Sequence, residues 1–482
     1  MSFAQQENIG FRYAVDAMEC ASPYGRANVN RLRFFAPGEE EALMAELENV
    51  CRVRDALDPL APQFGRLERL MMPMKDIRRS VEALRESALS ELELFELKRF
   101  LLQTELMAPL YEEVSAKCGL TGAPVTAQSG ALAVLDPDGV RAATFFLPDA
   151  ASPALREARR EKRALEQRLR ECEDKAERET LMAKRSTAAG REEEEERRLR
   201  AALCERLRPF AAGILGCMDA IGAFDFTLAR AKLAARYGGV LPSLSTGPMA
   251  MEGMLNPRVA DALSARGRAF TPVSIEAAPG ATVITGANMG GKSVALKTLA
   301  LNALLVTAGI LPFAKKATLP LFGGIFIVSE DLEDVDRGLS SFGAEIVQFN
   351  ETLAQSAAVP GLPLILLDEF ARGTNPEEGA MIVRAVTRHL NRLRGVSVLT
   401  THYDGVAPLA NAHFEVKGLK DMDMEAVARE IAAAGEKSGA DVIAAHMNYG
   451  LYRATGAESC PRDARNICAL LSLKKEILED IR

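Results

Sequence analysis

Hydrophobic residues recur at helical spacing through the first 125 residues of the chain. The clearest segment lies between Val81 and Leu102, where apolar residues return after three, four or seven positions. This spacing places apolar side chains on one face of a helix. The residues concerned are Val81, Leu84, Ala88, Leu92, Phe95 and Leu102. The pattern predicts a helical region over residues 1–125.

Residues 131–147 change character, because two β-prone runs flank a turn sequence. The first run is A-L-A-V-L, the turn is D-P-D-G, and the second run is V-R-A-A-T-F-F-L. Asp-Pro-Asp-Gly is a strong turn signal between two such runs. We therefore predict a β-hairpin over residues 126–150.

Charged residues dominate the chain from Pro153 onward. A seam with alternating steps of four and three indicates a heptad repeat, formed by Ala158, Lys162, Leu165, Leu169, Cys172 and Ala176. We predict that residues 187–190 end this helix and that a second helix carries Leu199, Leu203 and Leu207. An antiparallel helical arm and a returning helix are thus predicted over 151–238. The blocks R-R-E-K-R and E-E-E-E-E are interpreted as solvated faces of the arm.

Short β-branched runs alternate with helical segments beyond residue 239. Four strands are predicted, at Thr282–Thr285, Gly324–Ser329, Leu364–Asp368 and Val396–Thr401. This alternation predicts a parallel sheet with helices on its faces. The α/β domain is expected over 239–422, and a last helical piece is expected over 423–482.

Composition is that of a globular chain, with 48% apolar and 26% charged residues. The 59 basic and 66 acidic side chains give a net charge of −7, so any nucleic-acid contact must be a local patch. The eight cysteines form no C-x-x-C pair, which favours reduced, buried thiols. We see neither a signal peptide nor an apolar run of the ~20 residues that a membrane span needs, and we expect a cytoplasmic protein without a membrane partner.

The segment T-G-A-N-M-G-G-K-S, residues 285–293, fits the phosphate-loop pattern G-x-x-x-x-G-K-S. Glycines let backbone N–H groups approach phosphate oxygens, and the helix that follows adds its positive end. Lys292 is expected to bind the β- and γ-phosphates of ATP, and the Ser293 hydroxyl is expected to ligate Mg²⁺. The nucleotide-binding residues of the loop are then Gly286, Asn288, Gly290, Gly291, Lys292 and Ser293.

Two further strand ends carry candidate chemistry. In L-I-L-L-D-E, residues 364–369, four apolar residues precede Asp368 and Glu369. Asp368 is expected at the carboxyl edge of the sheet, where it would hold Mg²⁺ through water. Glu369 would orient or deprotonate the attacking water. His402, after V-S-V-L-T-T, is either a sensor of the γ-phosphate or a residue without a catalytic role.

These motifs together resemble the ATPase of the MutS family, an ABC-type P-loop fold used in DNA mismatch repair. The resemblance lies in G-A-N-M-G-G-K-S-V, in L-L-D-E-F-A-R-G-T-N-P-E-E-G and in T-T-H-Y. The segment G-L-S-S-F-G-A-E, residues 338–345, matches the family's signature loop, and Phe270 resembles the aromatic residue that stacks on adenine. The resemblance implies a homodimer with composite ATP sites, each completed by Ser340 of the partner subunit.

The resemblance extends to other parts of the chain. S-P-Y-G-R, residues 22–26, resembles the start of the lever helices, and residues 149–161 resemble the entry to the helical arm of the second MutS branch. N-Y-G-L-Y-R-A-T-G, residues 448–456, resembles part of the dimerising tail. We expect a short, multidomain form: a helical lever and arm region joined to the ATPase domain, without the mismatch-reading and C-terminal nuclease domains. Ala287 stands where the family usually has proline, and Glu252-Gly253 where it usually has Arg-His.

Two functions are compatible with these features. One is an ATP-gated dimeric clamp on branched or mismatched DNA, with phosphate contacts from arginines of the first arm helix: Arg156, Arg159, Arg160, Arg163 and Arg168. The alternative is a protein-remodelling ATPase, similar to reactivating factors of adenosylcobalamin-dependent aminomutases, that clamps a client enzyme. The family prior favours DNA, whereas the acidic balance and the expected lack of a reading domain favour a protein client. A scaffold that does not hydrolyse ATP is disfavoured by the intact motif residues.

Overall fold

The computed structural model describes residues 1–286, 290–329, 341–418, 423–434, 442–443, 446–454, 468–470 and 474–480. The chain divides into two compact units. One comprises Met1–Met18, Leu32–Arg54 and Ala229–Arg482, and the other comprises Glu19–Arg31 and Asp55–Leu228. This division differs from the domain boundaries predicted from the sequence, because two N-terminal segments belong with the strands. Within that unit, for example, the Phe35 amide donates to the carbonyl of Thr307 at 2.7 Å.

Helices precede the first strand, as predicted for residues 1–125. They are α1 (Phe3–Asn8), α2 (Phe11–Asp16), α3 (Pro23–Asn30), α4 (Glu40–Ala56), α5 (Ala61–Met71), α6 (Arg78–Ala83), α7 (Glu91–Cys118), α8 (Ser129–Leu135), α9 (Pro153–Glu171), α10 (Lys175–Leu207) and α11 (Ala211–Tyr237). The periodic segment from Val81 to Leu102 is not one helix, because α7 begins anew after Ser90. The Ser90 side chain caps α7 and forms a capping box with Glu93, and Leu92 is 66% exposed.

The predicted hairpin over 126–150 is wrong. The run A-L-A-V-L forms helix α8, and the structure has no strand in this part of the chain. Ala131, Leu132, Val134 and Leu135 are buried along α8. A short apolar run fits a buried helix as well as a strand, and packing decides between them. The turn itself is present, since the Gly139 amide donates to the carbonyl of Asp136 at 3.1 Å.

Helices α9 and α10 form the antiparallel arm. The ion pairs between them show the direction: Arg159, early in α9, pairs with Glu192, and Glu166, later in α9, pairs with Arg185, which comes earlier in α10. The predicted helix end at residues 187–190 is wrong, because α10 runs through it unbroken. The turn lies instead at Cys172–Asp174, where Asp174 caps α10 by accepting from the Glu177 amide. The predicted heptad seam therefore stops before Ala176.

Two sheets lie in the unit that contains residues 229–482. Their strands are β1 (Ser243–Leu244), β2 (Met249–Met254), β3 (Val273–Ala277), β4 (Gly280–Thr285), β5 (Lys316–Leu319), β6 (Gly324–Val328), β7 (Pro363–Leu367), β8 (Val396–Thr401), β9 (Ala412–Gly418) and β10 (Asn448–Arg453). The large sheet has the order β10-β9-β4-β8-β7-β6. Its pairs from β9 to β6 are parallel, which confirms the predicted parallel sheet.

The small sheet was not predicted. It has the order β1-β5-β2-β3, with parallel and antiparallel pairs. The tail was predicted as helical over 423–482, but β10 pairs antiparallel with β9 at the edge of the large sheet. A strand that joins a sheet formed by distant segments gives no local signal.

The remaining helices of this unit are α12 (Pro257–Ser264), α13 (Lys292–Thr307), α14 (Ser341–Ala358), α15 (Pro376–Leu390), α16 (Met424–Ala434) and α17 (Lys475–Asp480). Helix α13, which follows the phosphate loop, is buried over most of its length. The Asn302 side chain holds it in place: its amide donates to Leu255 after β2, and its carbonyl accepts from the Phe313 amide before β5. One side chain thus links α13 to the segment that follows β2 and to the segment that precedes β5.

The helical stretch Lys175–Tyr237 contains a window that is apolar and long enough to cross a membrane by length and composition alone. Such a run was not expected from the sequence. Of this window, 56% is buried within the protein. Burial of this kind is typical of a core helix.

Candidate functional site

Three parallel strands, β4, β7 and β8, bring the predicted site residues to one edge of the large sheet. The register aligns Thr285 of β4 with Thr401 of β8, and Leu367 of β7 with Leu399 of β8. The segments that leave β4, β7 and β8 therefore start side by side. The phosphate loop leaves β4, Asp368 leaves β7 and His402 leaves β8. Carboxyl ends of parallel strands are where open α/β sheets bind ligands.

Two glycines of the phosphate loop occupy positions that exclude side chains. Gly286 has φ 151° and Gly291 has φ 86°, which are left-handed values that favour glycine. A Cβ on Gly291 would lie 2.8 Å from the Tyr449 ring, and one on Gly286 would lie 3.0 Å from Val416. The close approach of other side chains thus requires glycine at both ends of the loop. Asn288, a predicted nucleotide-binding residue, lies outside the described residues.

Lys292 is the first residue of α13 and is 3% exposed. Its ammonium donates to the carbonyl of Gly286 at 2.9 Å. It also lies 3.1 Å from a carboxylate oxygen of Glu369. The loop, the lysine and the predicted catalytic carboxylate are therefore within contact of one another.

Ser293 and Asp368 meet at the centre of the edge. The Ser293 hydroxyl donates to Asp368 Oδ1 at 2.9 Å, and the Thr400 hydroxyl donates to the same oxygen at 2.8 Å. Burial raises the pKa of Asp368 above its usual value, while the hydrogen bonds from Thr400 and Ser293 lower it. Thr400 was not predicted as a site residue, although it stands in the segment T-T-H-Y and is the last but one residue of β8.

The donor set fits Mg²⁺. Hydroxyl and carboxylate oxygens are the hard ligands that this ion takes, with waters completing the octahedron. Ser293 Oγ and Asp368 Oδ1 are 2.9 Å apart, so one ion could bind both groups, either directly or through a water ligand. A nearby cation would also offset the desolvation that raises the pKa of Asp368.

Glu369 follows Asp368 and stands between two cations. Its carboxylate lies 3.1 Å from Lys292 and 3.1 Å from Arg372. Its backbone amide donates to the Thr400 hydroxyl at 2.9 Å. The residue has φ 49°, an unusual value for a side chain other than glycine. Its side chain is thus directed toward the phosphate loop.

His402 is half-buried directly after β8. Its Nδ1 is buried and has no hydrogen-bond partner in the described part of the chain. Burial lowers the pKa of His402 below its ordinary value, whereas the Glu369 carboxylate raises it. The neutral imidazole therefore predominates at pH 7.

Two further residues, Phe270 and Ser340, were predicted to contact the nucleotide. Phe270 is half-buried in the segment between α12 and β3. Its neighbour Arg268 lies close enough to Tyr449 to lower the pKa of that hydroxyl, which burial raises. Since Tyr449 touches the position of Gly291, this segment approaches the phosphate loop. Tyr449 was not predicted to lie beside the phosphate loop. Ser340 lies outside the described residues.

Known proteins match this part of the chain. Residues 282–468 match MutS domain V. Proteins named endonuclease MutS2 are 34% identical over 250 residues in Thermomicrobium roseum and 31% identical over 242 residues in Halothermothrix orenii. The counterpart in Fusobacterium nucleatum is 38% identical over 144 residues.

These matches are partial. They cover 50%, 48% and 30% of this chain, respectively, and 31%, 29% and 18% of the three relatives. The matched part of the chain thus spans less than a third of the length of these relatives.

The charge state of His402 leads to a testable prediction. The folded protein binds a proton at His402 more weakly than the unfolded chain, whose histidines titrate near pH ~6.5. The stability contributed by the neutral imidazole is present above that pH and is lost as the pH falls through the folded pKa. We expect acidification from pH 7 to about 5.5 to destabilise the wild type more than His402→Gln.

Thermal unfolding across this pH range measures the difference. His389→Gln is the matched control, since His389 is exposed on α15. The control should follow the wild type. An identical pH dependence for wild type and His402→Gln would contradict the assignment of a neutral, half-buried His402.

Proposed function

We propose that this chain, which belongs to the MutS family and carries the ATPase domain of that family, hydrolyses MgATP as a homodimer. The observation that carries the proposal is the meeting of Ser293 with Asp368 and of Lys292 with Glu369 at one sheet edge. These four residues supply what nucleoside triphosphate hydrolysis requires: a phosphate-binding cation, two oxygen ligands for a metal ion, and a carboxylate beside them.

In the proposed mechanism, the backbone of the phosphate loop and Lys292 bind the β- and γ-phosphates. Ser293 and Asp368 would hold Mg²⁺, which neutralises phosphate charge when it is bound. Glu369 orients the attacking water and accepts its proton as the water oxygen bonds to the γ-phosphorus, while the bond from that phosphorus to the β–γ bridging oxygen breaks and ADP leaves. His402 donates to a γ-phosphate oxygen, because its neutral ring can carry a proton on one nitrogen. Phe270 stacks on the adenine.

The dimer is part of the proposal. Ser340 of the partner subunit completes each ATP site with a hydroxyl donor to the γ-phosphate. Contacts that exist only with ATP bound make closure of the dimer depend on the nucleotide. Hydrolysis removes those contacts, so the useful product is a conformational change. A cytoplasmic location follows from the same hypothesis.

DNA is the proposed partner, and the structure changes which arm residues could contact it. Four of the five arginines suggested by the sequence are ion-paired within the arm. Arg159 pairs with Asp149, Glu192 and Glu196, and the other pairs are Arg160 with Glu157, Arg163 with Asp149, and Arg168 with Glu177. Arg156, Arg170 and Arg178 are exposed and have no ion pair among the described residues. These three are the better candidates for phosphate contacts.

The catalytic assignment predicts the behaviour of Glu369→Gln. Turnover should fall by about 100-fold or more, because a general base contributes roughly 10²–10⁴ to the rate. ATP affinity should be retained, since the glutamine keeps the shape of the side chain and removes the negative charge beside Lys292. Phosphate release and equilibrium binding of ATP measure the two effects, and sedimentation should show an ATP-stabilised dimer.

Glu378→Gln is the matched control for this experiment. Glu378 is exposed on α15, and its variant should turn over at the wild-type rate. Normal turnover by Glu369→Gln would contradict the assignment of Glu369 as the general base. Loss of ATP binding in the same variant would show that the carboxylate serves the structure of the site.

The DNA hypothesis predicts a salt-dependent affinity for branched or mismatched duplexes. The combined variant Arg156→Ala/Arg170→Ala/Arg178→Ala should weaken binding and reduce the slope of log K against log salt by about 0.9 for each phosphate that the variant no longer neutralises. Titrations at several salt concentrations measure this slope. The control is Arg160→Ala, which removes one exposed, ion-paired arm arginine and should leave the slope unchanged.

The possible results test the DNA partner separately from the ATPase activity. An unchanged slope would remove these three residues from the interface. ATP hydrolysis without DNA binding, even at low salt, would contradict a DNA clamp and favour a protein client. The proposed ATPase would stand in that case.

A further inference from the structure

The loop after β7 contains two residues in an unfavourable backbone conformation. Glu369 has φ 49° and Ala371 has φ 62°, and neither is glycine. A left-handed backbone brings the Cβ of an L-residue too close to the following carbonyl oxygen. Such conformations persist where the surroundings enforce them, and they cluster at functional sites.

Side chains from two other elements hold Ala371 by both of its backbone polar groups. The Ala371 amide donates to Glu345 Oε2 at 2.9 Å, and its carbonyl accepts from the Tyr403 hydroxyl at 2.8 Å. Glu345 and Tyr403 are each 7% exposed. Glu345 lies in α14, and Tyr403 follows His402 after β8. Buried hydrogen bonds of this type are costly to leave unmade.

The packing around these bonds is close. A Cβ on Gly379 of α15 would lie 2.4 Å from the Tyr403 hydroxyl and 2.9 Å from the Ala371 carbonyl. Phe370, between the two left-handed residues, packs against Phe349 of α14 with ring centroids 5.0 Å apart. The loop is thus fixed from α14, α15 and the end of β8.

Glu369 is the residue whose direction depends on this arrangement. The Glu369 amide donates to the Thr400 hydroxyl. Two residues further along the chain, Ala371 is held by Glu345 and Tyr403. Between these fixed points, the left-handed backbone directs the Glu369 carboxylate to within 3.1 Å of Lys292. A relaxed loop would rotate that carboxylate away from the phosphate loop.

We propose that Glu345 and Tyr403 are positioning residues for ATP hydrolysis, which hold the Glu369 loop in its left-handed conformation through Ala371. The inference rests on the proposed ATPase function, and it adds two residues that the motifs do not mark as catalytic. Neither side chain needs to touch the nucleotide. Their removal should slow the chemical step and spare ATP binding, which depends on the other strand ends.

The experiment uses the full-length protein and the variant Tyr403→Phe, which removes one hydroxyl and keeps the ring. We expect kcat to fall by about five- to tenfold, as the loss of one neutral hydrogen bond would allow. The Kd for ATP should stay within about twofold, because binding of substrate does not require Glu369. Tyr24→Phe is the matched control: its buried hydroxyl donates to a carbonyl, that of Lys75, at 3.0 Å in the other unit. The control should leave kcat unchanged.

A rescue variant distinguishes positioning from a general loss of packing. Glycine adopts the left-handed region without a steric penalty, so Ala371→Gly in the Tyr403→Phe background should restore a large part of kcat. Hydrogen–deuterium exchange gives a readout that is independent of activity. Peptides covering residues 368–373 should exchange faster in Tyr403→Phe and in Glu345→Ala, and at the wild-type rate in Tyr24→Phe.

Three results would overturn the inference: wild-type kcat in Tyr403→Phe, a loss that Ala371→Gly does not rescue, or unchanged exchange in the 368–373 peptides. Failure of the proposed ATPase has a different signature. In that case the wild type would not hydrolyse ATP, although exchange of the loop would still respond to Tyr403→Phe and Glu345→Ala. That result would reduce the role of these residues to the structure of the loop.

Discussion

A single buried carboxylate, Asp368, holds the candidate site together. It follows β7 and accepts hydrogen bonds from Ser293 at the start of α13 and from Thr400 in β8, so one oxygen links the ends of two strands with the first turn of a helix. Burial of the charge is costly unless such donors are present. Three other site residues lie close to this cluster along the chain. Lys292 precedes Ser293, Glu369 follows Asp368, and His402 lies two positions beyond Thr400.

Much of this site could be predicted from the sequence because its signals are local. Buried parallel strands appear as continuous apolar runs, and β4, β6, β7 and β8 were found in this way. Residues at the carboxyl ends of such strands, such as Asp368 and His402, meet once the sheet is parallel. Thr400 was missed because a hydroxyl inside a β-branched run looks like an ordinary strand residue. Glu345 was missed because its partner is a backbone amide that the sequence cannot mark.

The errors share a physical cause, which is the dominance of non-local packing over local preference. Residues 131–135 form a helix because four side chains find buried positions on it, although the run also suits a strand. Strand β10 exists because β9 offers an edge, and nothing within residues 448–453 requires it. The arm shows the same effect for charge. Its basic face looked available for DNA, yet Arg159 is committed to three carboxylates. The charges that matter for a partner are those that the fold leaves unpaired.

If ATP is hydrolysed at the cluster around Asp368, phosphate release must depend on both the metal ion and the lysine of the phosphate loop. The decisive experiment is steady-state phosphate release, with and without Mg²⁺, by the wild type and by Lys292→Ala. We expect magnesium-dependent turnover in the wild type, and a loss of about 100-fold or more in the variant, since the lysine binds the phosphates that carry charge in the transition state. Equal rates in the two proteins, or no turnover by the wild type, would contradict it.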